Sequence, residues 1–400
     1  MAEEKRDRYD IVVFGATGFT GMFVVQELVG TLQDSASKLS VAVAGRNEKK
    51  LKQALKDVES RSGLSTSDIP TIIADVADET SIDSMTQQAR LVINCVGPYV
   101  LYGEQVVKSC IKNKASHVDI SGEPLYLDGM QVKYNKKAEE AGVYVIGACG
   151  FDSIPTDMGI VFLSRSFEGE VNSVETYAST QEGPESIEEK LSREFEKLHR
   201  DPIHTGWCLP FPSCDRSVVK RSQYYLWDKE RKRPIQHACY INIGSLFAAL
   251  AITVWAAFLF LASRIGFMKK LMEDNPGWFS FGKFSHSGPT LAQIKGATFR
   301  VTCIGKGWAA HMAEPSDRPT TQPDSTIVAE VKGPDAGYVG TSICLVQSAL
   351  TVLEEKDKLP NKGGVFPPGA AFYHTSLIER LHKRGVTFTI TKMSTPPPEL

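Results

Sequence analysis

The sequence predicts an α/β protein: a doubly wound parallel sheet at the N-terminal end, followed by a second α+β domain. Across residues 9–150, short apolar runs alternate with helix-length stretches, the pattern of consecutive βαβ units. The first apolar run, residues 11–14, ends in a glycine-rich stretch, residues 15–21, that leads into a helical stretch. A strand, a glycine turn and a helix in this order open dinucleotide-binding sheets. We therefore expect residues 1–152 to form a Rossmann-type domain.

Composition narrows the class of protein. The 400 residues are 42% hydrophobic and 23% charged, with a net charge of −2, which suits two domains with ordinary cores and gives no reason to expect a nucleic-acid partner. The eight cysteines form no CxxC pair, and the eight histidines lack metal-ligand spacing. The charged residues 1–10 do not resemble a signal peptide. We expect an intracellular protein without disulfides or a metal site.

The glycine-rich stretch has a physical reading at each glycine. Gly15 permits a tight turn, Gly18 lets a pyrophosphate approach the backbone, and Gly21 lets the helix pack closely on the strand. The helix N-terminus then offers free N–H groups to phosphate oxygens. The alternative is a turn with a purely structural role. The position of the glycine-rich stretch at the start of a βαβ pattern favours dinucleotide binding.

Arg46 bears on the choice of cofactor. It follows a second predicted strand, residues 39–44, where an NAD site usually carries an acidic residue. A guanidinium suits a ribose 2′-phosphate by charge and geometry, so NADP(H) is preferred and NAD(H) is the second choice. The alternative is an exposed arginine at the start of a helix over residues 48–58.

Two further strands, residues 69–74 and 91–96, complete the predicted cofactor site. Asp75 ends one of them and would contact the adenine or cap the next helix. The other ends in Gly97-Pro98, against which a cofactor could lie in the crevice at the carboxyl ends of the strands. The predicted cofactor-binding residues are Gly15, Ala16, Thr17, Gly18, Phe19, Thr20, Gly21, Arg46, Asp75, Cys95, Val96, Gly97 and Pro98.

Polar residues at the same sheet edge are the candidates for a proton donor. Hydride transfer needs a nicotinamide held against the substrate and usually a group that supplies a proton. The predicted catalytic residues are Tyr99, Asp119 and Glu123, with Ser121 and Asp152 in the same group. Any of them could instead cap a helix or fix a loop.

Residues 153–393 are expected to form the second domain, with residues 340–385 as an alternative addition to the first. Strands over 171–177, 298–304 and 326–331 should share one sheet, and helices are predicted over 153–164, 339–354 and 376–384. Residues 181–200 are rich in charged residues and have a composition typical of a helix. The proline-rich tail, residues 394–400, is expected to be disordered.

The most unusual segment is an apolar insertion, residues 238–268. Residues 238–263 carry no charge, and residues 243–261 as a helix would be long enough to cross a bilayer. Basic residues flank it on both sides, and the strands before and after it should share a sheet. We therefore expect membrane contact from one side. The alternatives are a buried core or dimer helix and a full span.

Several motifs occur together and in order, and with them the chain resembles the saccharopine dehydrogenase family. They are the glycine stretch 15–21, residues 44–46, 94–99, 119–123 and 150–155, with further resemblance at 333–338 and 363–372. The resemblance implies an NADP(H)-dependent oxidoreductase. At 183–186 the chain departs from the family, whose members generally carry a Gly-Thr that opens a helix near the cleft.

The second domain shows no arginine cluster for the carboxylates of saccharopine, so that activity is not expected. A lipid-like carbonyl or enoyl substrate fits the apolar insertion better, and relatives of the family include lipid-modifying reductases. The expected location is the cytosolic face of lipid droplets or membranes, with mitochondrial association and a homodimer kept open. The alternative function is a lipid-surface scaffold that binds the cofactor with little or no catalysis.

Overall fold

The first sheet is built from seven parallel strands. The computed structural model describes residues 8–35, 37–181, 207–211, 213–279, 289–312, 314–317 and 319–394. The strands run in the spatial order β3-β2-β1-β4-β5-β6-β12, and every neighbouring pair is parallel. Their bounds are β1 (Tyr9–Phe14), β2 (Val41–Gly45), β3 (Thr71–Ile73), β4 (Ala89–Asn94), β5 (Ser116–Asp119), β6 (Tyr144–Ile146) and β12 (Gly364–Phe366).

This strand order reverses direction between β1 and β4, which creates the crevice where ligands of doubly wound sheets bind. The connecting helices are α1 (Phe19–Asp34), α2 (Glu48–Ser62), α3 (Glu79–Gln87), α4 (Tyr99–Lys112) and α5 (Pro124–Ala141). The predicted Rossmann-type sheet is therefore confirmed.

Both faces of the sheet are covered, because successive side chains of each strand point to opposite sides. Ile11 and Val13 pack with Leu28 of α1 in one cluster. Val12 and Phe14 pack with residues of α3 and α4 in another. Burial on both faces explains why these strands read as continuous apolar runs.

The second sheet is mixed, with the order β13-β11-β10-β7-β9-β8. Only β7 and β9 pair in parallel, and the other pairs are antiparallel. Helices α6 (Ile154–Ser166) and α7 (Asp215–Glu230) pack near it. The strands are β7 (Glu170–Gln181), β8 (Trp207–Pro210), β9 (Gln236–Gly244), β10 (Thr298–Trp308), β11 (Ser325–Pro334) and β13 (Thr387–Ser394).

The helix of the apolar insertion begins three residues later than in the span 243–261 considered from the sequence. The first residues of the insertion, 238–244, pair with β7 and β8 as part of strand β9. The helices that follow are α8 (Leu246–Ala262), α9 (Gly266–Asp274), α10 (Pro276–Phe279) and, after the undescribed residues, α11 (Leu291–Gly296). The prediction was wrong at this boundary because an uncharged run does not by itself separate a buried strand from a helix.

One described helical segment is long and apolar enough to cross a membrane by length and composition. It is Ala336–Glu354, whose most apolar stretch of 18 residues is 72% buried inside the protein, as in a core helix. It combines a π-helical turn (Ala336–Gly340) with α12 (Thr341–Glu354). The apolar α8 is shorter than that test requires.

The C-terminal part of the chain returns to the first sheet. Helix α12 packs against α1, and Arg384 binds the Glu27 carboxylate at 2.8 Å. Two short helices, α13 (Pro368–Ala371) and α14 (Leu377–Lys383), lead to β13, which extends to Ser394, the first residue of the tail that was expected to be disordered. The domain boundary at 152 stays a prediction, and residues 182–200 and 395–400 lie outside the described part.

Candidate active site

The glycine loop lies at the switch point, between the ends of β1 and β4. Gly15 has a φ of +88°, and a Cβ there would lie 2.8 Å from Val96 Cγ2. A Cβ on Gly21 would lie 2.2 Å from the Gly15 carbonyl oxygen. Only glycine fits these two positions, because the chain itself fills the space where a side chain would be.

Gly18 is different, and it provides a test of whether a pyrophosphate fits. Its φ of −73° suits any residue, and a Cβ there would have one neighbour within 4 Å, the Gly15 oxygen at 3.3 Å. No side chain caps helix α1 at this end, and the first N–H groups of a helix have no partner inside it. The fold does not require this glycine, whereas close approach of a phosphate to the helix end would. The loop fits a dinucleotide.

The other loop residues frame the same helix end. Ala16 is buried, Thr17 is exposed, and Phe19 and Thr20 begin α1 half-buried. The Phe19 ring packs edge-on against Tyr338 at 4.6 Å between centroids, so the C-terminal part of the chain contacts the start of α1.

Arg46 lies beyond the end of β2 with its side chain exposed. Within the described residues its guanidinium has no hydrogen bond or ion pair. The neighbouring Asn47 caps helix α2 by accepting a hydrogen bond from the Lys50 N–H at 3.0 Å, so Arg46 is not needed for that purpose. The side chain is free for an anion at the carboxyl end of β2, where the 2′-phosphate is predicted.

Asp75 and the residues after β4 bring the rest of the predicted cofactor set to this edge. Asp75 Oδ1 accepts the Ala77 N–H at 3.0 Å, which fixes its own turn. The Cys95 N–H donates to the Phe14 carbonyl at 2.8 Å, and Val96 covers Gly15. Burial raises the pKa of the Cys95 thiol to about 12, so it stays protonated. Gly97 and Pro98 then lead directly into α4.

Glu123 and Tyr99, two of the predicted catalytic residues, have structural partners. The Glu123 carboxylate accepts the N–H groups of Tyr99 and Val100 at 2.8 and 2.7 Å, which caps the start of α4. The Tyr99 hydroxyl donates to the Asn94 carbonyl at 2.9 Å. Burial, then the nearby Asp119 charge, raises the pKa of Tyr99 well above its usual value.

Asp119, the third predicted catalytic residue, is fully buried. Oδ1 accepts the N–H groups of Ser121 and Ala148 at 2.9 and 3.1 Å, and Oδ2 accepts the Tyr126 hydroxyl at 2.9 Å. It thereby ties the loops after β5 and β6 together. The catalytic assignment of Tyr99, Asp119 and Glu123 stays a prediction, and the hydrogen bonds favour a structural role for each.

Asp152 has a different environment. It is exposed in the loop between β6 and α6, and within the described residues its carboxylate accepts no hydrogen bond. The position that a Cβ on Gly122 would occupy lies 2.8 Å from Asp152 Oδ2, so glycine makes room for the carboxylate. The protein around the carboxyl group desolvates it and raises its pKa.

Side chains of the second sheet and of α7 lie beside Asp152. Phe151 packs on Phe299 of β10, with ring centroids 4.8 Å apart. Behind the loop, Asp215 is buried and accepts the Thr156 hydroxyl at 3.0 Å. Burial, then the charge of Asp152, raises the pKa of Asp215 to about 8. Sequence reasoning missed Asp215, because nothing in the sequence indicates which acidic residue a helix will bury.

No group of three or more potential ligands that could hold a metal ion occurs among the described residues. The site therefore joins a dinucleotide cradle to the Asp152 carboxyl group, which has no partner among the described residues, with an apolar contact to the second sheet beside it.

Comparison with known proteins shows the family. Residues 11–146 match the family model described as saccharopine dehydrogenase NADP binding domain. The chain is 38% identical to the human saccharopine dehydrogenase-like oxidoreductase, covering 98% of this chain and 100% of the relative. It is 39% identical to the lipid droplet localized protein of Caenorhabditis elegans, covering 96% of this chain and 98% of the relative.

Among solved structures, the chain is similar to apo saccharopine dehydrogenase (L-Glu forming) from Saccharomyces cerevisiae. The two share 14% identity with a TM-score of 0.55, covering 96% of this chain and 100% of the other. That likeness shows the fold. Taken with the cradle at the switch point, the comparisons show that the chain belongs to the saccharopine dehydrogenase-like oxidoreductases, an NADP-binding family, and that its cofactor is NADP(H).

Proposed function

We propose that the protein uses NADPH to reduce a lipid-like carbonyl or enoyl substrate at the cytosolic face of a membrane or lipid droplet. The observation that carries the proposal is the position of the apolar insertion relative to the cofactor edge. Strand register pairs Phe299 with Thr180 and Ala178 with Ile241. Ile243, two residues further along β9, therefore lies near the level of Phe299, which contacts Phe151.

Helix α8 begins three residues after Ile243, at Leu246. Strands β10 and β9 are separated by β7, so their axes are roughly 10 Å apart. An apolar substrate held along α8 would therefore have one end close to Phe151 and Asp152. A water-soluble substrate with several carboxylates gives no reason for an uncharged helix at this place.

The residues of the chain have separate parts in the proposed reaction. Bound NADPH supplies the hydride. The glycine loop and the end of α1 hold the pyrophosphate, and Arg46 holds the 2′-phosphate. Asp152 is the proposed proton donor, because its carboxyl group accepts no hydrogen bond from the described residues and desolvation raises its pKa.

Membrane or lipid-droplet location is supported by the surface of α8. Only Ala249 and Ala262 are buried in this helix, so a core role is not favoured. Exposed apolar helices of this kind are stabilised by lipid. The worm relative is described as localized to lipid droplets. Mitochondrial association and a homodimer stay predictions.

Substitution of Asp152 tests the reaction. With purified protein, NADPH and vesicles made from a cellular lipid extract, NADPH oxidation should require the lipid. Asp152→Asn should lower the turnover number by about 10²-fold or more, since a positioned proton donor contributes that much, while NADPH affinity by calorimetry stays unchanged. Unchanged turnover in this variant would remove Asp152 from the mechanism.

A second candidate function is a lipid-surface scaffold that binds NADP(H) without turnover. The observation in its favour is that the groups of Tyr99, Asp119 and Glu123 are all engaged in structural hydrogen bonds. Tight NADPH binding with no lipid-dependent oxidation by the unmodified protein would select this function.

A further inference from the structure

A small cavity lies between the first domain and α11. It has a volume of about 190 Å³ and lies between α1, the end of α2, α11 and the start of α12. No residue of the loop 15–21 lines it. Whole small-molecule sites usually measure about 300–1,000 Å³, so this cavity suits one polar end of a larger ligand.

One wall carries Arg61 in a fixed position. Its guanidinium lies 4.2 Å above the Phe23 ring, and its Nε donates to Gln26 Oε1 at 2.8 Å. Burial lowers the pKa of Arg61. In the part of the chain that the structure describes, no carboxylate lies within ion-pair distance of it. A partly desolvated guanidinium of this kind is stabilised when an anion binds.

The opposite wall adds a second cation and an unsatisfied hydroxyl. Lys295 of α11 is exposed at the rim and has no ion pair among the described residues. Ser342 is 1% exposed, and its hydroxyl oxygen has no hydrogen-bond partner among the described residues. Buried hydroxyls in native proteins are nearly always paired. Because this hydroxyl lies in the cavity lining, we expect a bound ligand to supply its missing hydrogen-bond partner.

The one carboxylate that the described residues contribute to the lining is already neutralised. Glu27 binds Arg384 at 2.8 and 3.1 Å and accepts the Thr31 hydroxyl at 3.0 Å. As far as the described residues show, the cavity therefore presents two cations without an ion pair and a hydroxyl without a hydrogen-bond partner. Its remaining lining is largely apolar, from Phe23, Leu291, Ile294 and Val339.

We infer that this cavity binds the phosphate of an anionic phospholipid. The fork of an arginine suits phosphate oxygens, and the apolar lining suits the glycerol and acyl part. Helix α11 joins the insertion to β10, whose first residue Thr298 pairs with Gln181. The cavity thus lies at the sheet end from which α8 leaves. The choice of a membrane as the source rests on the proposed function, whereas phosphate binding does not.

Calorimetry with dihexanoyl phosphatidic acid, kept below its aggregation concentration, tests the site on the full chain. One molecule should bind, and Arg61→Gln and Lys295→Gln should each weaken binding by about tenfold or more. Lys56→Gln, an exposed lysine on α2 outside the cavity, is the matched charge control and should change affinity less than about twofold.

Ser342→Ala gives the sharpest distinction, because it changes no charge. Removing an unpaired buried hydroxyl should leave the melting temperature unchanged or higher, while binding weakens about threefold or more. If Ser342→Ala and Arg61→Gln both bound the lipid as tightly as the parent protein does, the site would be overturned. Inorganic phosphate binding as tightly as the lipid, with the same dependence on these variants, would overturn the phospholipid assignment in favour of a free anion.

Discussion

Arg46 is the residue on which cofactor choice should depend. Its guanidinium is exposed and unpaired among the described residues, at the end of β2. Arg46→Ala should weaken NADPH binding by about 1–3 kcal/mol, the size of a lost charged hydrogen bond, and leave NADH binding nearly unchanged. Calorimetric titration with both cofactors measures this. Arg90→Ala, which removes an arginine paired with Asp10 instead, is the control, and equal weakening of both cofactors would contradict the assignment.

Asp215 should make stability depend on pH. Its folded pKa, raised to about 8 mainly by burial, lies above the unfolded value of about 3.9. The folded state therefore favours the protonated acid, and the contribution to stability is complete below pH 4 and is lost as pH rises toward 8. Asp215→Asn, which is neutral at every pH, should raise the melting temperature more at pH 8 than at pH 5.

Thermal unfolding at both pH values checks this, with Asp68→Asn as an exposed control. If the difference in melting temperature between Asp215→Asn and the parent does not grow with pH, Asp215 is ionised in the folded protein.

Residue roles were predictable from the sequence only where the backbone restricts the residue type. The glycines at 15 and 21 were assigned correctly to the turn and the close helix packing, because no other residue fits there. The sequence could not distinguish catalytic from structural acidic residues at the same edge, because a carboxylate caps a helix as readily as it transfers a proton. Only the contacts distinguish the engaged Glu123 from the unpaired Asp152.

Helix α8 is the element that should attach the protein to lipid. Phe247, Val254 and Leu261 recur every seven residues and are 84%, 70% and 67% exposed. Changing all three to serine should release the protein from membranes into the soluble fraction, because the transfer of apolar surface to lipid is lost. Folding and NADPH binding should be retained, since the side chains contact little protein.

The matched control is Leu125→Ser with Val132→Ser on α5, where the side chains are 83% and 87% exposed. This pair should leave membrane binding unchanged. Membrane pelleting of the α8 variant at the level of the parent would contradict the attachment, and dissociation of a dimer by the same variant would identify α8 as a contact between copies.

Elements were predictable where apolar runs were bounded by glycine or by charge. Strands β1 to β6 of the first sheet and the three long strands of the second meet this condition. Strand β9 could not be separated from α8, since one uncharged run contains both. The three residues of β12 could not be recognised either, because their partner β6 lies more than 200 residues away in the chain.

At the scale of the whole molecule, the Phe151–Phe299 contact joins the cofactor edge of the first sheet to β10, and the apolar insertion begins in β9 on the far side of β7. This arrangement favours a substrate that arrives from lipid. Saccharopine should therefore not be oxidised with NAD or NADP at enzyme-like rates, meaning on the order of 1 s⁻¹. A spectrophotometric assay with each cofactor checks this, and turnover at that rate would contradict the lipid assignment.

The most direct test of the central claim follows the hydride itself. The unmodified protein is incubated with NADPH deuterated at the nicotinamide C4 and with vesicles of cellular lipid extract, and the lipids are then examined by mass spectrometry. Deuterium should appear in a lipid product, and the signal should fall strongly in Arg46→Ala and in the α8 serine variant. Deuterium retained entirely in the cofactor, although NADPH is bound, would contradict the account.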